Sequence, residues 1–292
     1  MNYGALEAGG TKMVCAIGDE NGKILEQVSI PTTEPKETID RMIDYFKDKE
    51  IEALGVACFG PVDLRKDSPT YGYITSTPKP GWANTDLLGP MVRALKVPAG
   101  FDLDVNGSLL GEVTYGASKG LTDAVYFTVG TGIGSGVMTN GKLLHGIIHP
   151  EGGHIQIKHH PKDTFGGRCP FHKDCLEGMA NGPSLIDRWG KPGNELKEEP
   201  LVWEIEAYYL AQAARAVSCL LSPQRIIFGG GVMHQKGLID EIRDDFKEMM
   251  NGYLRSPYIE DIENYITEAS LNDDQGIMGC IKLAIDAAAK AK

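Results

Sequence analysis

Residues 125–144 read V-Y-F-T-V-G-T-G-I-G-S-G-V-M-T-N-G-K-L-L. An apolar run, a glycine-rich turn carrying Thr131, a second apolar run and the pair Asn140-Gly141 follow one another, and Asn-Gly between apolar runs is a strong hairpin signal. Residues 3–25 repeat the design. An apolar run from Tyr3 breaks at Gly9-Gly10-Thr11-Lys12 and resumes over Met13–Ile17. Asn21-Gly22-Lys23-Ile24-Leu25 then matches Asn140-Gly141-Lys142-Leu143-Leu144. Asn-Gly hairpins are common, but the matched glycine–threonine turn upstream of both favours a structural repeat over coincidence. The same hairpin used twice, about one lobe apart, implies two related halves.

Outward from these hairpins, strands and helices alternate, which argues for an α/β fold. Strands are expected over Lys23–Ile30, Ala53–Phe59, Val97–Leu103 and Arg225–Phe228. Helices are expected over Pro35–Lys49, from Asp104 to about Tyr115, and over Leu201–Leu221, Leu238–Leu254 and Gln275–Ala289, the last capped by Asp273-Asp274. The stretch from Asp67 to Trp82, dense in turn formers and aromatics, reads as an ordered loop of the kind that carries function.

The chain has 292 residues, of which 42% are hydrophobic, enough for a sizeable core. A net charge of −11 with no basic run argues against nucleic-acid binding. No apolar stretch reaches membrane-spanning length and the N-terminus has no secretory pattern, so a cytoplasmic protein is expected. Cys15, Cys58, Cys219 and Cys280 stand alone in apolar surroundings and read as buried small hydrophobes.

Three glycine turns can approach phosphate or a nucleobase closely: Gly9-Gly10-Thr11-Lys12, Gly130-Thr131-Gly132 and Gly229-Gly230-Gly231. The first two lead into strands, which excludes a P-loop and a dinucleotide fingerprint. Glycine lets backbone N–H groups reach phosphate oxygens and threonine adds a hydroxyl donor. A plain tight turn remains the alternative for each taken singly.

A fourth signal runs from Glu151 to Glu177: E-G-G-H, then C-x-x-H-x-x-C-x-E. His154, Cys169, His172 and Cys175 supply the four ligands of a tetrahedral zinc site, bracketed by Glu151 and Glu177. His145, His149, His159 and His160 are competing ligands. Asp104, at a helix start, reads on its own as an N-cap.

Taken together, the three turns resemble the phosphate-1, phosphate-2 and adenosine elements of the actin, sugar-kinase and Hsp70 fold. Glu7-Ala8-Gly9-Gly10-Thr11-Lys12, Gly60-Pro61-Val62-Asp63, Thr77-Pro78-Lys79-Pro80-Gly81-Trp82, Asp104-Val105-Asn106, E-G-G-H and the cysteine run narrow the match. Over essentially its full length the chain resembles the ROK family of bacterial sugar kinases, closest to its fructokinases. It departs from the broad pattern at Glu7, where Asp is usual, at Leu103, where Asn is usual, and in C-x-x-H-x-x-C replacing C-x-C-x4-C.

The resemblance implies a two-lobed actin/hexokinase/Hsp70-like fold, a duplicated ribonuclease H-like unit with an interlobe cleft. The lobes would be residues 1–115 and 116–292, with the C-terminal helix returning to the first. It further implies ATP-dependent phosphorylation of the 6-hydroxyl of D-fructose, with another hexose kinase of the family, such as a glucokinase or mannokinase, as the nearest rival. A sugar-sensing repressor is the rival of another class, and it would need a DNA-binding domain ahead of Glu7. Asp104 becomes the base, with Asp102 ranked second. Asn84, Asp104, Glu151, His154 and Glu177 would hold the sugar; the three glycine turns and Lys12 would hold ATP; Glu7 would hold Mg²⁺. Zn²⁺ would be structural, His154 serving metal and sugar through its two ring nitrogens, and a homodimer is expected.

Overall fold

A computed structural model describes all residues, Met1–Lys292. The chain divides into two compact units. The first comprises Met1–Gly120, His145–His149 and Ser270–Lys292, and the second Leu121–Leu144 and Pro150–Ala269. Gly116–Gly120 and the terminal segment thus belong with the N-terminal unit.

In the first unit, strands β1 (Tyr3–Ala8), β2 (Lys12–Gly18), β3 (Ile24–Pro31), β4 (Leu54–Cys58), β5 (Tyr73–Ile74), β6 (Thr85–Asp86) and β7 (Ala99–Leu103) are joined by helices α1 (Pro35–Phe46), α2 (Leu88–Leu95) and α3 (Asp104–Thr114). Five strands form a sheet in the order β3-β2-β1-β4-β7, antiparallel through β3-β2-β1 and parallel through β1-β4-β7. The central strands Y-G-A-L-E-A and L-G-V-A-C are almost wholly buried, as continuous apolar runs in a parallel sheet should be. The edge strand β3 is mostly exposed and carries Glu26, Gln27 and Ser29. The terminal helix, Gln275–Ala291, buries Ile277, Cys280, Ile281 and Ala284 in a cluster with Ala5, Val14 and Ala57.

The second unit repeats this plan. Its strands β8 (Ala124–Val129), β9 (Ile133–Thr139), β10 (Lys142–Leu143), β11 (Arg225–Gly229) and β12 (Ile266–Glu268) lie in the order β10-β9-β8-β11-β12, with the same senses at corresponding places. The helices are α4 (Leu176–Ala180), α5 (Gly182–Trp189), α6 (Pro200–Leu221) and α7 (Leu238–Met250), followed by two single turns. Pro35 and Pro200 open α1 and α6, where the missing N–H costs nothing. The core joins Val125, Phe127 and Phe228 to Trp203, Leu210, Ile242 and Phe246.

The structure revises several expectations. Asn140 and Gly141 both take positive φ, 50° and 71°, as a type I′ turn requires. Asn21 does not; Asp19 Oδ1 instead accepts the N–H groups of Asn21 and Lys23, and a register shift at Ile17/Gly18 widens that turn. The two hairpins share sequence and strand order but not turn type. Cys219 is exposed rather than buried, because it sits on the outer side of the last turn of α6. No helix is long and apolar enough to cross a membrane.

Candidate active site

In the first unit, β1 and β2 are paired to Ala8↔Met13, so Gly9–Lys12 is left as a tight loop closed by Gly9 N–H to Lys12 O at 3.0 Å. Thr32 fastens it from β3's end, its hydroxyl donating to Gly9 O at 2.7 Å. The loop borders a cavity of about 380 Å³ that also receives Glu7, Lys12, Asp273 and Asp274. Glu7 lies against Gly276 at the start of the terminal helix. Burial first, then the charge of Asp104, push its carboxyl up to about 7, while Lys12 pulls it down. Asp274 occupies the N-cap position of that helix, yet its side chain makes no capping hydrogen bond. Asp274 and Asp273 line the cavity and give it an acidic rim. A carboxylate so strained towards neutrality beside a glycine turn fits a divalent cation brought in with polyphosphate.

Asp104 is the first residue of α3, directly after β7, and Oδ1 accepts the N–H of Val105 at 2.8 Å. It is not the N-cap; Leu103 holds that place. Asp102 is buried and both its oxygens are engaged within the protein, which removes it as the competing base. The loop from Asp67 to Trp82 is pinned by Asp63, whose carboxyl is held far below the usual range by Arg65, Ser68 and Thr70. Trp82 is fully buried, with Nε1–H donating to Thr33 O at 2.8 Å. Asn84, two residues on, is exposed with φ 56°, a conformation Asn tolerates well.

In the second unit, β8 and β9 are paired to Val129↔Ile133, leaving Gly130-Thr131-Gly132 as the turn. The start of α5 docks on it: Gly182 N–H donates to Gly130 O at 2.7 Å and Asn181 Nδ2 to Thr131 O at 3.1 Å. Asn181 also caps α5 by accepting from Ser184 N–H. Gly130, Thr131 and Gly231 border a cavity of about 690 Å³ with Pro183, Asn194 and Trp203. Gly229 and Gly230 do not. A Cβ at Gly229 would meet the Tyr126 hydroxyl at 2.1 Å, and Gly230 takes φ 93°. Those two glycines serve packing and the turn, and Gly231 alone of the three faces the cavity. Pro183 and Asn194 escaped the sequence reading, although Asn181-x-Pro-Ser184 has the form of a helix start.

E-G-G-H folds as a single 3-10 turn over Gly152–His154, laid against β9. A Cβ on Gly153 would fall 1.7 Å from Ile133 O, and one on Gly152 2.4 Å from Ser135 Oγ, so only glycine permits this approach. The turn sets Glu151 and His154 beside the Gly132 hairpin. His154 Nδ1 lies 3.5 Å from Cys175 Sγ and 3.8 Å from Cys169 Sγ, and His172 Nδ1 lies 3.7 Å from Cys169 Sγ. A tetrahedron with ordinary Zn–S and Zn–N bonds has S···N edges of about 3.5 Å. The four donors therefore match a closed zinc site by distance and by chemistry. His154 Nε2 stays outside the donor set, 4.0 Å from Glu177 Oε1. Glu177 Oε2 accepts the N–H of Ile133 at 2.9 Å.

The competing histidines are engaged elsewhere. His145 lies on Asp102, His149 accepts from Val62 N–H, His159 meets Asp174 at 3.1 Å, and His160 lies 3.5 Å from Glu204.

The profile of the ROK family matches residues 3–287. The chain belongs to the ROK family. Among ROK relatives, the fructokinase of Streptococcus mutans is 46% identical, covering 99% of this chain and 99% of the relative. The fructokinase of Lactococcus lactis subsp. cremoris is 47% identical over 90% of each chain. A solved ROK hexokinase from Thermus thermophilus superimposes with a TM-score of 0.81 at 24% identity, covering 99% of this chain and 100% of that one, which establishes the shared fold.

Proposed function

We propose that this ROK protein transfers the γ-phosphoryl group of ATP to the 6-hydroxyl of D-fructose, giving fructose 6-phosphate and ADP. The observation that carries this is the similarity to fructokinases at 46–47% identity over nearly the whole chain.

In this reading Asp104 accepts the proton of the 6-hydroxyl while that oxygen attacks the γ-phosphorus and the bond to the β,γ-bridging oxygen breaks. The turns at Gly9–Lys12 and Gly130–Gly132 offer N–H groups to the phosphates, and the cavity beside Gly231 accommodates the adenosine. Glu7 would hold Mg²⁺, which would supply positive charge to the polyphosphate. Asn84, Glu151, His154 Nε2–H and Glu177 bind sugar hydroxyls. His154, Cys169, His172 and Cys175 would hold Zn²⁺, whose role there would be structural. The reaction belongs in the cytoplasm, where ATP is available, and the active form is a homodimer.

The test is a coupled assay across fructose, glucose, mannose and N-acetylmannosamine. Fructose is expected to give the highest kcat/KM; turnover of another sugar far above fructose would overturn the assignment and favour the rival hexose kinases. Metal analysis and sedimentation address the zinc and the dimer.

A further inference from the structure

Asp102 is only 4% exposed, and its carboxylate is occupied on both oxygens. Oδ1 accepts Leu103 N–H at 2.8 Å and Asn106 Nδ2–H at 2.7 Å, and Oδ2 lies 2.8 Å from Nε2 of His145. Leu103 ends β7 and Asn106 lies in the first turn of α3, so these bonds bracket Asp104. His145 begins a five-residue strap, His145–His149, that belongs to the first unit although the chain on either side belongs to the second. His149 fastens the other end by accepting Val62 N–H at 3.4 Å. Ile147 and Ile148, between them, are exposed. The strap is therefore held by its two histidines and not by apolar burial.

A buried carboxylate without a compensating charge is costly. The groups facing this pair are few. Asp102 raises the proton affinity of His145 above the ordinary histidine value, chiefly through their hydrogen bond; desolvation and Lys66 oppose it. Tyr71, from the same loop as Lys66, has its phenol pushed up by burial and by Asp102. Asp104 stands two residues beyond. The one basic side chain in hydrogen-bond contact with Asp102 is His145.

We propose that His145 is a positioning residue for the base: as an imidazolium on Asp102 it compensates that buried charge and fixes the β7–α3 junction from which Asp104 projects. This rests on the reading of Asp104 as base. Neutral His145 keeps an Nε2–H for the hydrogen bond, so its deprotonation removes charge and leaves contact intact. An uncompensated Asp102 then leaves unbalanced negative charge beneath the β7–α3 junction and disturbs the placement of Asp104 in the transition state, not the binding of ATP.

The imidazole of His145 can be titrated by NMR in the unmodified protein, where it is expected to ionise above the ordinary histidine range and to fall on Asp102→Asn. Titration at or below the ordinary range would overturn the proposal whatever the variants do. In kinetics, His145→Gln keeps a donor but no charge. Its kcat is expected to fall about ten- to a hundredfold, with sugar and ATP KM within twofold and the alkaline limb of the kcat profile gone. The double variant His145→Gln/Asp102→Asn, with neither charge, is expected to recover most of the loss. A wild-type alkaline limb in His145→Gln, with Asp104→Asn inactive, would overturn the proposal alone. Retained turnover in Asp104→Asn would overturn the base reading and this proposal with it.

Discussion

The carboxylate of Glu177 accepts the backbone N–H of Ile133 at 2.9 Å. Ile133 opens β9 directly after Gly132, and Glu177 stands two residues beyond Cys175 at the start of α4. One side chain therefore ties the cysteine run to the glycine hairpin. Hydrogen bonds to a charged group contribute about 1.5–3 kcal/mol, but only while the segment bearing Glu177 is ordered. A zinc ion on His154, Cys169, His172 and Cys175, as proposed above, would supply that order.

Removal of zinc should accordingly cost stability and sugar affinity together. Treatment with a strong chelator is expected to lower Tm by several degrees and to raise the fructose KM at least tenfold. Restoring zinc should recover both. Chelated, metal-free protein that bound fructose normally would break the proposed link between the cluster and sugar binding.

Asp104→Asn should abolish turnover, by about a thousandfold or more, while fructose binding measured by calorimetry stays within a few fold. Asn keeps the shape and can still accept from Val105 N–H, so the junction survives and only proton acceptance is lost. Residual turnover near the wild-type level would remove Asp104 from the chemistry.

The repeated hairpin made the fold legible, because an Asn-Gly pair after a glycine–threonine turn is a local signal and appears twice. The clustering of the proposed zinc donors was legible for the same reason: Cys169, His172 and Cys175 lie within seven residues. What escaped was non-local or short. Helix α4 has five residues, too few for a periodic pattern. Asp102 and His145 are 43 positions apart. The division of labour in Gly229-Gly230-Gly231 depends on Tyr126 lying across the first glycine, which no spacing rule reports.

Glu7 predicts a pH dependence with a definite sign. An unfolded Glu ionises near 4.5, whereas burial and Asp104 push the folded carboxyl up to about 7. Between these values the folded chain holds a proton that the unfolded chain has released, so stability from this group is present below 4.5 and is lost as pH rises through 7. Wild-type protein without nucleotide or magnesium should therefore lose Tm relative to Glu7→Gln between pH 5 and pH 8. Magnesium affinity should rise over the same range, since the cation needs the carboxylate. A Tm difference that does not change with pH would show that Glu7 ionises normally.

Glu206 gives a second prediction, far from the glycine turns. It is fully buried in α6, and neither carboxylate oxygen has a hydrogen-bond partner in the protein. Burial pushes its carboxyl well above the usual range, against the pull of Arg188 and with the push of Asp163. Burial thus favours the neutral acid in the folded chain, and glutamine is its near-isostere. The folded chain keeps the proton while the unfolded chain sheds it above the ordinary carboxylate range, so stability falls as pH rises. Glu206→Gln removes that dependence. Its Tm is expected to be close to wild type at pH 5 and several degrees higher at pH 8, with kcat and KM for fructose unchanged within twofold. A constant difference from pH 5 to pH 8 would mean that Glu206 is already ionised at the acid end, and a charge buried without a partner would then need a cation or ordered water beside it.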